Sequence, residues 1–139
     1  MKNKTQNLFS FKTLVLASLL LMSTALLFSC SKDKDNSSPS KSHKLVFKAI
    51  GSSDVELESV TYGYGPDNNM TSKTSLSGTT WTSEEITAPA GTIVAVIGAT
   101  ADGLSASSEL TVQIYVDGAL KKEGKGTGKT LTAAATYNF

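Results

Sequence analysis

The stretch Leu110-Thr111-Val112-Gln113-Ile114-Tyr115-Val116-Asp117-Gly118 decides the fold class. Leu110, Val112, Ile114 and Val116 alternate with Thr111, Gln113 and Tyr115, the period of a half-buried strand. Asp117-Gly118 then supplies a two-residue turn of the kind that joins antiparallel strands. Ala119 to Lys125 returns as an edge strand, whose lysines discourage pairing with other chains. Downstream, Thr130 to Phe139 puts Leu131, Ala133, Ala135, Tyr137 and Phe139 on one parity.

Upstream, strand signals recur and no helical period is convincing. Leu45-Val46-Phe47-Lys48-Ala49-Ile50 is β-rich and stops at Gly51-Ser52-Ser53. Val55 and Leu57 alternate with Asp54, Glu56 and Glu58. Near Ser59 the phase flips, and Val60, Tyr62 and Tyr64 take the opposite parity, which predicts a bulge or a crossing between sheets. Gly65-Pro66-Asp67-Asn68-Asn69 is a loop by composition. Met70 to Leu76 predicts a polar edge strand, Ser77-Gly78-Thr79 a turn, and Trp81 to Thr87 a further strand ended by Pro89. Ile93-Val94-Ala95-Val96-Ile97 is a continuous apolar run and predicts the most deeply buried strand. Asp102-Gly103 falls in the next loop. Seven or eight short strands with closely spaced turns predict an all-β protein, a small antiparallel β-sandwich of immunoglobulin-like type. An eight-stranded membrane barrel is the rival, and the lack of aromatic girdles argues against it.

The sandwich accounts for residues 43–139 of a 139-residue chain. Ahead of it, Lys2, Lys4 and Lys12 precede an apolar run from Leu14 to Phe28, which is short for a membrane span of about 20 residues. Residues 1–29 read as a secretory signal. The run ends in Leu27-Phe28-Ser29-Cys30, which resembles the bacterial lipobox: lipid on the thiol, then cleavage that leaves Cys30 first. Phe28 is less usual at its position. Residues 30–42, rich in Ser, Lys and Asp, have little to bury and read as a flexible tether, with a reach of about 20 Å. Ser31 after the cysteine resembles lipoproteins sorted to an outer membrane. Lys32-Asp33-Lys34-Asp35 is similar to the export signal of surface lipoproteins in Bacteroidota-type bacteria, though a solvated tether explains it too.

Composition narrows function. Lys2, Lys4 and Lys12 leave with the leader, so ten lysines face twelve acids, with no arginine. A nucleic-acid binder needs a basic face and usually Arg forks, so that class is excluded. One Cys and one His remove disulfide scaffolds, zinc clusters and His-based triads. Gly124-Lys125-Gly126-Thr127-Gly128-Lys129-Thr130 looks like a phosphate loop, but the motif needs Gly where Glu123 stands and a helix where a strand follows. It reads as a flexible β-connection, and no nucleotide is expected.

Asp54, Glu56 and Glu58 share a strand face, and Asp67, Asn68 and Asn69 offer further oxygens. Calcium would need both loops and side chains; a solvated face and a polar turn are the simpler reading. Those carboxylates have no cleft around them for glycoside hydrolysis. Tyr62 and Tyr64 share a face and could stack on sugars. Trp81 is the only tryptophan, more often core than platform in a sandwich. Tyr62, Tyr64, Asp67 and Trp81 are the candidate binding residues. His43 sits at the start of the first strand, without a second ligand for a metal. No catalytic residues, metal or dissociable cofactor are expected.

Tyr62 with its following glycine, the central Trp81, and the run from Leu110 to Gly118 continued by Lys121-Lys122-Glu123 resemble the MmpS proteins, small mycobacterial membrane proteins that accompany MmpL lipid transporters of the RND class. The resemblance covers residues 43–139 and implies one small β-sandwich outside the membrane and an envelope protein partner. It departs in three ways: those proteins use a transmembrane helix, many carry a cysteine pair absent here, and Thr80 stands where proline commonly precedes their Trp. The family supplies no catalytic residues. The expectation is a non-enzymatic outer-membrane lipoprotein, on the periplasmic face or the cell surface, acting as a binding or accessory module of an export system. The alternatives are a surface module that binds glycans or proteins, and a hydrolase, which the shortage of His, Cys and Arg disfavours.

Overall fold

The computed structural model describes residues 41–67 and 69–139. The leader, Cys30, most of the tether and Asn68 lie outside these residues. Two antiparallel sheets pack face to face, the β-sandwich expected from the alternation. Nine strands build it: β1 (His43–Gly51), β2 (Val55–Gly65), β3 (Asn69–Thr74), β4 (Thr80–Thr82), β5 (Ile86–Ala88), β6 (Val94–Gly103), β7 (Glu109–Val116), β8 (Ala119–Thr127) and β9 (Thr130–Asn138). One sheet runs β4-β1-β7-β8, with β5 beside β4 on the same edge of β1; the other runs β3-β2-β6-β9.

The count exceeds the expected seven or eight because Trp81 to Thr87 is two strands. Ser83 breaks it. Its hydroxyl accepts the Phe47 amide at 3.0 Å, and its own amide donates to the Phe47 carbonyl at 2.9 Å. That double bond pulls the chain out of the regular ladder and re-enters it at Ile86. The apolar run at Ile93 is also corrected. Ile93 is 51% exposed and precedes β6, where only Ala95, Ile97, Ala99 and Ala101 are buried. Asp102-Gly103 closes β6 and is not loop.

The phase flip at Ser59 is a bulge. Leu57 faces Ala101 and Ser59 faces Thr100, so Glu58 is the extra residue. Leu57 and Val60 can therefore both be buried. The Asp117-Gly118 turn takes φ of 51° and 80°, the left-handed pair that a two-residue hairpin needs. Asp117 does more than turn the chain. Its carboxylate accepts the Lys44 amide at 3.0 Å, lies 2.9 Å from His43 Nδ1, and so holds the start of β1.

The Lys44 amide, then His43, holds the Asp117 carboxyl down at about 2 from its ordinary 3.8. The folded state thus binds this proton less readily than the unfolded state. The stabilisation is complete above about pH 4 and is lost as pH falls towards 2. Asn tolerates the same positive φ, so Asp117→Asn is a clean variant. Its unfolding midpoint in urea should fall less steeply than the parent's between about pH 4 and 2. Parallel pH profiles would show that the carboxylate does not carry this contact.

The core between the sheets is a wedge. Leu45, Phe47, Leu57, Val60, Leu110, Val112, Ile114 and Leu131 fill its middle, all fully or almost fully buried. At one side β8 lies over β9. A Cβ on Gly124 would stand 1.9 Å from the Ala134 carbonyl oxygen, and one on Gly126 would stand 2.2 Å from that of Thr132. Each glycine therefore turns an Hα towards a strand-edge carbonyl, a contact of the Cα–H···O type. The glycines share the inward parity of Val112 and Leu110, their register partners. The segment expected to be a flexible connection is mostly strand, and its glycines close the sandwich.

Candidate functional site

The opposite side of the wedge is held apart by aromatic rings. Ala49 pairs with Trp81, and Ala49 is fully buried, so Trp81 projects inward from β4. Tyr62 projects inward from β2 in the other sheet. The Phe47 and Tyr62 centroids are 5.3 Å apart, and those of Tyr62 and Trp81 are 4.9 Å apart at 50°. Tilted contacts of this kind suit the ring quadrupoles and add to the burial of each ring. Three rings between the sheets cannot be compressed to the spacing that glycine and alanine allow at β8 and β9. The sandwich stays open between β3 and the β4–β5 edge.

A groove of about 460 Å³ occupies this opening, within the ordinary range of small-molecule sites. Tyr62 and Trp81 form its aromatic floor. Tyr64, Asn69, Thr71 and Lys73 form one wall, and Thr82, Ser83, Glu84, Glu85 and Ile86 the other. Asn69, Thr71 and Lys73 pair with Tyr64, Tyr62 and Val60, so they share the inward face of that sheet. The Asn69 amide donates to the Tyr64 hydroxyl at 2.7 Å, which fixes both groups at the rim. Glu85 is paired with Lys44, and that pairing raises the Lys44 pKa.

Of the residues singled out from the sequence, Tyr62, Tyr64 and Trp81 meet at this groove. Tyr62 is only 7% exposed and is a core ring whose edge forms floor, not a free stacking platform. Trp81 is half-buried, both core and floor. Asp67 does not join them. It lines a smaller depression of about 110 Å³ with Pro66, Pro89 and Thr92. Asn69 was singled out only as a loop oxygen, and Thr71, Lys73 and Glu84 escaped the sequence reading. Alternation along β3 contained the signal for the first three; the break at Ser83 that places Glu84 contained none.

The acidic face dissolves into separate contacts. Asp54 lies in the turn before β2, where it accepts hydroxyls of Ser52 at 2.6 Å and of Ser108. These bonds, that of Ser108 foremost, lower its pKa. Glu56 accepts the Gly78 amide at 2.9 Å, and Glu58 is the bulged residue. Among the described residues no three His, Cys, Asp or Glu side chains are grouped to hold a metal ion. His43 stacks on Phe139 at 4.8 Å and does not line the groove. No protein-family model matches this sequence, and no curated protein matches it.

Proposed function

We propose that this chain is a lipid-anchored, non-enzymatic binding module of the cell envelope, and that it takes its ligand in the groove between β3 and the β4–β5 edge. The observation that carries the reading is the wedge. The sheets are sealed by Gly124 and Gly126 on one side and propped open by Phe47, Tyr62 and Trp81 on the other. A concavity with an aromatic floor and converging polar groups, built on rigid strands, is the form that ligand sites commonly take. The groove chemistry favours binding over bond making. Its Ser83 hydroxyl accepts the Phe47 amide, and the chain's single histidine lies outside the groove, so no serine–histidine pair is assembled there. The lipobox resemblance at Leu27-Phe28-Ser29-Cys30 supplies the anchor.

A photo-crosslinking residue at Thr71, in native membranes, tests the reading. The control position is Thr132, exposed on β9 and outside the groove. Adducts at Thr71 well above those at Thr132 are expected. Equal adducts, or none, would sink the groove as the recognition surface. If the Thr71 adducts contain pump subunits, the export-accessory role suggested by the MmpS resemblance becomes the function of this groove.

A further inference from the structure

We infer that the ligand of this groove is a neutral oligosaccharide, an assignment that rests on the groove being the recognition surface. The chemistry of the lining selects it. Aromatic faces carry negative quadrupole potential and attract the polarised C–H faces of a sugar ring. Here one floor ring, Trp81, is half-buried and braced from behind by Tyr62, whose centroid is 4.9 Å away. Around that floor stand groups that donate and accept at once: the Tyr64 hydroxyl, the Asn69 amide and the Thr71 hydroxyl. Sugar hydroxyls have the same dual character, and each can be matched without burying an unpaired charge.

Other ligand classes fit worse. An anion would meet Glu84 and Glu85 against a single lining ammonium, Lys73, in a chain without arginine. Arg forks are the usual means of holding carboxylate and phosphate. An acyl chain would desolvate the amide and hydroxyl groups of both walls without pairing them. A peptide added as a strand draws specificity from pockets for alternate side chains. The side chains of Asn69, Thr71 and Ser83 are polar, Ile86 is the one aliphatic side chain in the walls, and β4 and β5 are only three residues each. The pairing of Glu85 with Lys44 leaves Glu84 as the one wall carboxylate without that ammonium, placed to accept from a sugar hydroxyl.

The test uses the lipidated chain in phospholipid vesicles that contain no other protein. Trp81 is the sole tryptophan, so its emission reports the groove alone. The probes are cellotetraose, xylotetraose, mannotetraose and maltotetraose, with a heparin tetrasaccharide and an extended Thr/Val heptapeptide as counter-probes. At least one neutral tetrasaccharide should shift Trp81 emission saturably, with a Kd of about 1 mM or tighter. Thr71→Arg, a change at an exposed wall position that leaves the core alone, should weaken that Kd at least about tenfold while the Tm stays near the parent's. Silence with all four neutral sugars, a saturable shift only with the anionic sugar or the peptide, or a shift that Thr71→Arg leaves intact would each overturn the assignment. Thr71 crosslinks to a protein, combined with silence from the sugars, would reject the sugar and keep the groove; loss of both would reject the groove itself.

Discussion

Valine at Gly124 should destabilise the domain strongly. A Cβ there would stand 1.9 Å from a main-chain carbonyl oxygen, that of Ala134. A flexible side-chain tip could move aside; a strand held in register by β6 cannot. Relief requires β8 to lift from β9, which uncovers the alanine-lined end of the core at Ala133 and Ala135. Overpacking typically costs about 1–3 kcal/mol, and a main-chain clash this close belongs at the upper end. For a domain near 100 residues that lowers the Tm by roughly 12–24 °C. Gly126→Val should behave alike, and both together should prevent folding. Lys125→Thr is the control. Lys125 points outward between the two glycines, pairs with Glu109 at 3.1 Å on the surface, and its loss should shift the Tm by only a few degrees. Equal shifts for Gly124→Val and Lys125→Thr in a thermal melt would mean that the sheets do not close as described.

The same glycines explain where sequence reading stops. Alternation along one strand fixes which side chains point inward, so the hairpin at Asp117-Gly118, the parity of β9 and the bulge near Ser59 were legible. Alternation does not say which strand of the facing sheet lies opposite. Gly124 and Gly126 carry no hydrophobicity, so Gly124 read only as the end of an edge strand and Gly126 as part of a flexible β-connection, although their spacing of two places both on the inward face. The division of β4 from β5 depends on a hydroxyl of Ser83 finding the Phe47 backbone across the sheet, a pairing with no local signature. The groove suffers from both blind spots. Tyr62, Tyr64 and Trp81 could be named because they are aromatic. That they meet required knowing that β3 and the β4–β5 edge share the open side. Asp67 was named for its loop chemistry alone and lies outside the groove.

Replacing Cys30 with alanine should abolish the processed, detergent-requiring form of the chain. The described residues contain no helix, and the apolar run from Leu14 to Phe28 is removed if the leader is cut before Cys30. The mature chain would then hold the bilayer only through what is attached to that thiol. One acyl chain of myristoyl length binds membranes marginally and reversibly, with a partition constant of about 10⁴ M⁻¹. A diacylglyceryl group brings two chains, each CH₂ adding about 0.8 kcal/mol, which is enough for stable anchoring. Alanine at 30 removes the acceptor sulfur, so lipid addition and the cleavage that follows it should both fail. The chain should then accumulate with its leader uncut or appear in the soluble fraction. Cell fractionation with mass analysis of the N-terminus decides between the outcomes. A Cys30→Ala chain that is still cut between Ser29 and residue 30 and still needs detergent would show that something other than a lipid on this thiol anchors it. The sandwich does not depend on the answer, because its core and its hairpins lie wholly within residues 43–139. If the lipid holds the domain at the bilayer as proposed, losing it should also remove Thr71 adducts to membrane partners while leaving binding of free sugar unchanged.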